Sequence, residues 1–148
     1  MKKLAFLLRL SAIASPKACL SILLLSLFFF TSCNNDQKQI DTLFHETEVI
    51  HDAAMKDMAD MNRVARELKT FMISATMTPE QSAVYTTVLD NIGKAENEMM
   101  EWMKGFKKPD ELAPADAIQY LQDQKSKIEK NHSNIKAALE AGKKLQGN

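Results

Sequence analysis

Cysteine is nearly absent from this chain. Its 148 residues include two, Cys19 and Cys33. Helix breakers are also scarce where they would matter: no glycine or proline falls between Ile40 and Ala75, so nothing in that stretch interrupts a helix. No segment alternates apolar and polar residues at a period of two, which excludes a half-buried sheet. There is no Gly-rich phosphate loop, no serine on a nucleophile elbow and no cysteine nucleophile. These absences remove the usual sequence marks of hydrolase and nucleotide chemistry, and an enzyme is not expected. The last absence is local. Residues 1–17 carry Lys2, Lys3, Arg9 and Lys17 and not one acid.

That basic start is followed by an apolar run from Ala18 to Ser32. It is shorter than the roughly 20 residues a spanning helix needs, and it suits the h-region of an export signal. The run ends in Phe28-Phe29-Phe30-Thr31-Ser32-Cys33, and Asn34-Asn35-Asp36-Gln37-Lys38-Gln39 after it is polar. The arrangement resembles the lipobox of bacterial type II signal peptides, with small residues before a cysteine, although Phe30 stands where that family usually has Leu. The resemblance implies that Cys33 receives a diacylglyceryl group, that cleavage precedes it and that the new amine is acylated. Each buried methylene contributes about 0.8 kcal/mol, and stable anchoring takes at least two membrane signals, which a multiply acylated cysteine supplies. The expected location is the cell envelope, lipid-anchored, with the outer membrane favoured.

Cleavage before Cys33 changes the composition. Of 148 residues, 32 leave and 116 remain; four basic residues and no acids go with them, leaving 15 Lys and Arg against 19 Asp and Glu, a net charge of −4. A mildly acidic surface argues against a nucleic-acid partner. Cys19 is removed and Cys33 is occupied by lipid, so no disulfide forms within the mature chain and packing alone must hold it.

Residues 33–39 read as the lipidated cysteine and a polar tether, and residues 40–148 as a bundle. A helical pattern begins near Ile40 and runs to about Ala75, with a seam at alternating spacings of four and three: Ile40, Phe44, Thr47, His51, Ala54, Met58, Met61, Ala65, Leu68 and Met72. Leu43, Ile50, Met55, Val64 and Phe71 widen it beyond a strict coiled-coil stripe. Thr78-Pro79-Glu80-Gln81 is a helix start, with Thr78 as cap, Pro79 in the first position and Gln81 completing a capping box. The second seam is Tyr85, Val88, Ile92, Ala95, Met99, Trp102 and Phe106. After a loop at residues 110–114 the third runs from about Ala115 to Leu145 through Ile118, Leu121, Lys125, Ile128, His132, Ile135 and Leu139. Short connections make neighbours antiparallel. The expected fold is all-α, an up-down-up three-helix bundle.

Two Glu-x-x-His pairs, Glu48–His51 and Glu129–His132, invite comparison with di-iron bundles. Folding the chain symmetrically about Thr78 and then about Asp110 puts residue 51 level with about 104, and 104 level with about 117. His132 then lies on the order of 22 Å further along, too far to share a metal. A second constellation survives that test. His51, Met55 and Met58 share one helix face, and Met99 and Met103 reach the same level of the second helix beside Trp102. Methionine fills irregular cores and packs well on indole, which is the first reading of this cluster. Thioether and imidazole ligands also suit Cu(I), which makes these five residues a candidate soft-metal set.

The bundle resembles a set of short helical bacterial lipoproteins of unknown function, sometimes labelled viral A-type inclusion protein. The residues that carry the resemblance are His51-Asp52-Ala53-Ala54-Met55-Lys56-Asp57-Met58, Met99-Met100-Glu101-Trp102-Met103 and Tyr120-Leu121-Gln122-Asp123-Gln124-Lys125. It implies a helical, anchored protein and no particular activity. The expected role is non-enzymatic, protein-binding or structural, with an envelope protein or a second copy of the chain as candidate partners. Cu(I) binding at the His/Met cluster is the alternative.

Overall fold

The computed structural model describes residues 16–147, with side chains from Asn35 onward. Residues 1–15 of the signal segment therefore lie outside the described residues, as do the side chains of the rest of that segment and of Cys33. Three helices account for the fold: α1 (Pro16–Ser74), α2 (Pro79–Gly105) and α3 (Pro114–Gln146). They run up, down and up, and no strand occurs among the described residues.

The connection between α1 and α2 forms as its sequence dictates. Thr78 sits in extended backbone, its hydroxyl accepts from the Gln81 amide at 3.2 Å, and Gln81 Oε1 accepts from the Thr78 amide at 2.9 Å. Two otherwise orphaned donors are thereby satisfied. Backbone amide and Thr78 hydroxyl together hold the Glu80 carboxyl below the usual glutamate range, which suits an acid at the positive end of a helix.

The segment 35–39, expected as a tether, is helical and continuous with α1. Gln37 Nε2 donates to Asp41 Oδ1 at 2.9 Å and the Thr42 hydroxyl to the Lys38 carbonyl at 2.8 Å. Polar composition alone does not end a helix when neither glycine nor proline is present.

The second connection departs from the symmetric fold-back. α2 stops at Gly105, and Phe106 turns to extended backbone at φ −72°, ψ 131°. The chain then runs on beside α1 before it reverses. Lys108 Nζ lies 5.9 Å from the Phe44 ring centroid, and Lys108, Pro109 and Leu112 share a cleft with Gln37 and Asp41. Pro114 opens α3 without a side-chain cap. The pairs Phe106–Tyr120, Glu98–Asn131 and Tyr85–Leu145 set the resulting register. It is shifted about eight residues, or roughly 12 Å, from that expected.

The core fills the three seams. Met61, Val64, Leu68, Met99, Leu121, Ile128 and Ile135 are fully or almost fully buried. Thr47, also buried, donates its hydroxyl to the Leu43 carbonyl at 2.8 Å, so it adds no unpaired polar group. α3 lies close against α1. A Cβ on Gly142 would come within 2.6 Å of Val64 Cγ1, so the absence of a side chain there sets the helix spacing.

Polar cross-links run along the α1–α3 seam. Lys125 Nζ meets Glu46 Oε2 at 2.8 Å, His132 Nε2 meets Asp57 Oδ2 at 2.7 Å, and Gln146 donates to Glu67. The two polar interruptions of the third seam, Lys125 and His132, are therefore both partnered across to α1.

Candidate functional site

α1 and α2 bring His51 and Met103 together. His51 Nε2 lies 3.3 Å from Met103 Sδ, a pair separated by 52 residues in sequence. The other ring nitrogen, Nδ1, lies 3.2 Å from Asp52 Oδ1. The imidazole is also stacked against Trp102, with centroids 5.7 Å apart and planes 29° from parallel.

Trp102 belongs to a longer aromatic run. Its ring stacks on Phe106 at 4.7 Å, and Phe106 in turn faces Phe44 at 5.9 Å and Tyr120 at 6.4 Å. All of these separations fall at or within the range in which aromatic rings attract. The Tyr120 hydroxyl accepts from the Lys107 amide at 3.0 Å, tying α3 to the start of the loop. Trp102 Nε1 is buried and has no hydrogen-bond partner among the described residues. The indole is therefore positioned by stacking, and an unmade hydrogen bond of this kind costs about 1–3 kcal/mol.

The five expected metal ligands do not occupy equivalent places. Met99 is fully buried and Met58 is 6% exposed, both inside the hydrophobic core. Met55 is partly buried and packs against that core. His51 retains 27% of its side-chain surface and is in direct contact with Met103. Met103, like Met55, is partly buried against the core, so these two methionines and His51 lie at its edge and Met58 and Met99 lie inside it.

The Glu-x-x-His pairs are closer than the symmetric fold-back implied. His132 is level with Asp57, which places it about 9 Å along the bundle from His51 and not on the order of 22 Å. They still form no joint site. His132 is engaged by Asp57 and His51 by Asp52 and Met103. Glu48 and Glu129 are exposed, and no group of three or more His, Cys, Asp or Glu side chains converges among the described residues.

A shallow cleft of about 260 Å³ opens between α2 and α3, lined by Asn91, Lys94, Glu98, Asn134 and a run of alanines. Its carboxylate is already engaged, since Asn134 Nδ2 donates to Glu98 Oε2 at 2.6 Å.

Sequence spacing placed His51 and Met103 at one level, beside Trp102. Asp52 was visible as a neighbour of His51. The meeting of Phe44, Phe106 and Tyr120 was not, because it depends on the path of the second loop. No family model, curated protein or solved structure matches the chain.

Proposed function

We propose that this chain is a non-enzymatic, lipid-anchored helical protein of the cell envelope, held through Cys33 and serving to bind another protein or to build structure. The observation that carries this reading is the basic start, short apolar run and small residues leading into Cys33. The remainder of the chain suits such a role. An all-helical bundle packs without disulfides, and α1 runs unbroken from before Cys33 to Ser74.

Along that helix the α1–α2 connection lies roughly 60 Å from Cys33. Exposed apolar side chains occur at this far end: Phe71, Ile73 and Val84 are 48, 88 and 51% exposed. A tall, anchored rod with apolar groups at its tip presents them away from the membrane, where a protein partner can reach them.

The test is acylation in a bacterial host that processes lipoproteins. Wild-type chain incorporates radiolabelled palmitate and sediments with membranes, whereas Cys33→Ala is unlabelled and either leaves the membrane fraction or stays unprocessed. A Cys33→Ala chain that is cleaved, labelled and partitioned like wild type overturns the reading.

A further inference from the structure

We infer that the connection between α2 and α3 is a second membrane contact, in which Leu112-Ala113-Pro114-Ala115 rests in the lipid headgroup layer beside the anchor. This deepens the proposed function and rests on acylation of Cys33. After the aromatic cluster the loop runs on toward the anchor: Pro109, Leu112 and Pro114 share a cleft with Gln37, Ile40 and Asp41 of α1. Gln37 is four residues beyond Cys33 on an unbroken helix, so the loop comes within about 6 Å of the anchoring residue along the axis. A diacylglyceryl thioether holds its cysteine at the glycerol level of the bilayer. The headgroup layer above that level is about 5–7 Å deep, so the loop lies at headgroup depth.

The surface presented at that depth is apolar. Leu112, Ala113, Pro114 and Ala115 are uncharged and all exposed, Leu112 by 46%. The next exposed large apolar side chain along the bundle, Val49, is about 24 Å from Cys33 along α1. Charge does not draw the loop to lipid. Lys107 and Lys108 are balanced by Asp110 and Glu111, and Lys108 Nζ already meets Asp110 Oδ1 at 3.2 Å. The partner is therefore the apolar boundary of the headgroup layer, which takes up exposed hydrocarbon in proportion to its area, and not an anionic headgroup.

The loop is also tied to the bundle. The Lys107 amide donates to the Tyr120 hydroxyl at 3.0 Å, the Leu112 amide donates to the Pro109 carbonyl at 3.3 Å, and Phe106 faces Phe44 and Tyr120 at 5.9 and 6.4 Å. Loop and α1 therefore move as one body. A lipid on Cys33 alone is a single point about which a rod can tilt. A second contact, set off from the α1 axis by a helix spacing of about 8–10 Å, gives the rod a footing. It directs the α1–α2 connection away from the bilayer.

Under the anchoring reading the processed chain keeps no free thiol, because Cys19 leaves with the signal and Cys33 carries lipid. Ala113→Cys, or Ile73→Cys near the far end, then takes an environment-sensitive fluorophore at one position only. Each full chain is produced in a host that processes lipoproteins, and its acylation is read by mass. It is then reconstituted into phosphatidylcholine vesicles with and without phosphatidylglycerol. The label at position 113 should shift to the blue and be quenched by lipids spin-labelled near the headgroup, equally in both mixtures. The label at position 73 should do neither. Adding Leu112→Asp should remove most of the shift at position 113 while acylation and helicity hold. Three results on an acylated chain would overturn the loop contact and leave the anchor standing: a label at position 113 as open to water as that at 73, a shift insensitive to Leu112→Asp, or a shift confined to vesicles with phosphatidylglycerol. A chain that is not acylated overturns the anchoring reading and this inference with it.

Discussion

The middle of the bundle and its aromatic end use the same residue type in opposite ways. Between Ala54 and Leu68 methionine is a filler: Met61 is fully buried in an apolar interior, with Met99 reaching the same core from α2. Near His51, one turn beyond Met99, Met103 packs on the edge of that interior and puts its sulfur against an imidazole nitrogen. The eight methionines from Met55 to Met103 are therefore not one signal. A thioether surrounded by hydrocarbon contributes shape and dispersion, whereas one beside an imidazole nitrogen also has a polar neighbour. The contrast is set by the neighbours each helix supplies.

The largest expected effect comes from treating the two environments alike. Met61→Ala should destabilise the protein by about 2–5 kcal/mol, because it removes a buried side chain and leaves a cavity that α1 and α3 cannot easily close. Met100→Ala, at a position 52% exposed, should stay within about 0.5 kcal/mol. Chemical denaturation of the two variants beside wild type checks this. Similar losses for both would mean that the middle of the bundle is not the dry, close-packed region described.

A smaller effect sharpens the same comparison through glycine. Gly142 lies in the packed α1–α3 seam, where a Cβ would come within 2.6 Å of Val64 Cγ1. Val64 is stiff at χ1 and fully buried, so it cannot swing aside. Gly142→Ala should cost about 1–3 kcal/mol of overpacking, offset in part by about 1 kcal/mol of helix propensity. Gly93 has open space around the same position. Gly93→Ala should therefore stabilise by about 0.5–1 kcal/mol. Opposite shifts in melting temperature are the expected result, and a stabilised Gly142→Ala would show that α3 does not approach α1 as closely as described.

Much of this was legible in the sequence. The seam spacing of four and three is the spacing of the buried positions on α1, and Thr78 to Gln81 reads directly as a capping box because each polar group has one obvious local partner. The level of His51 against α2 followed from the tight turn, since a short reversal leaves little freedom in register. The third helix was not legible to the same degree. Residues 106–113 could reverse at once or run on, and the outcome depends on Lys108 and Leu112 meeting the side of α1, a tertiary contact that no local pattern encodes. The His51–Met103 contact lies at the level that the tight turn implies, whereas the enclosure of Met58 and Met99 is completed by α3. The helical segment 35–39 was missed because its polarity suggested a tether, although local hydrogen bonds suffice to continue the helix.

The smallest effect tests what holds the aromatic end: ring packing or charge. Lys125 and Glu46 form the polar link nearest that end, with 30 and 45% of their side chains exposed. The hydrogen bond to Glu46 raises the Lys125 pKa above the usual lysine range, against some desolvation and with added attraction from Glu46 and Glu129. A raised folded pKa means that the stabilisation is fully present below the unfolded lysine pKa, about 10.4, and is lost as pH climbs through the folded value. Stability from this pair should thus be flat through neutral pH and decline only in the alkaline range. Solvent screening limits its size to about 0.2–1 kcal/mol. A double-mutant cycle of Lys125→Met and Glu46→Gln should return a coupling in that range, reduced in 1 M salt, where the screening length is about 3 Å. If packing dominates, Phe106→Ala should exceed this coupling several-fold, because Phe106 stacks with Phe44, Trp102 and Tyr120 and phenylalanine truncations in packed sites cost about 3–5 kcal/mol. A coupling as large as the Phe106→Ala loss would instead make charge the dominant bond between α1 and α3 at this end, and would erase the distinction between its aromatic packing and the dry core above it.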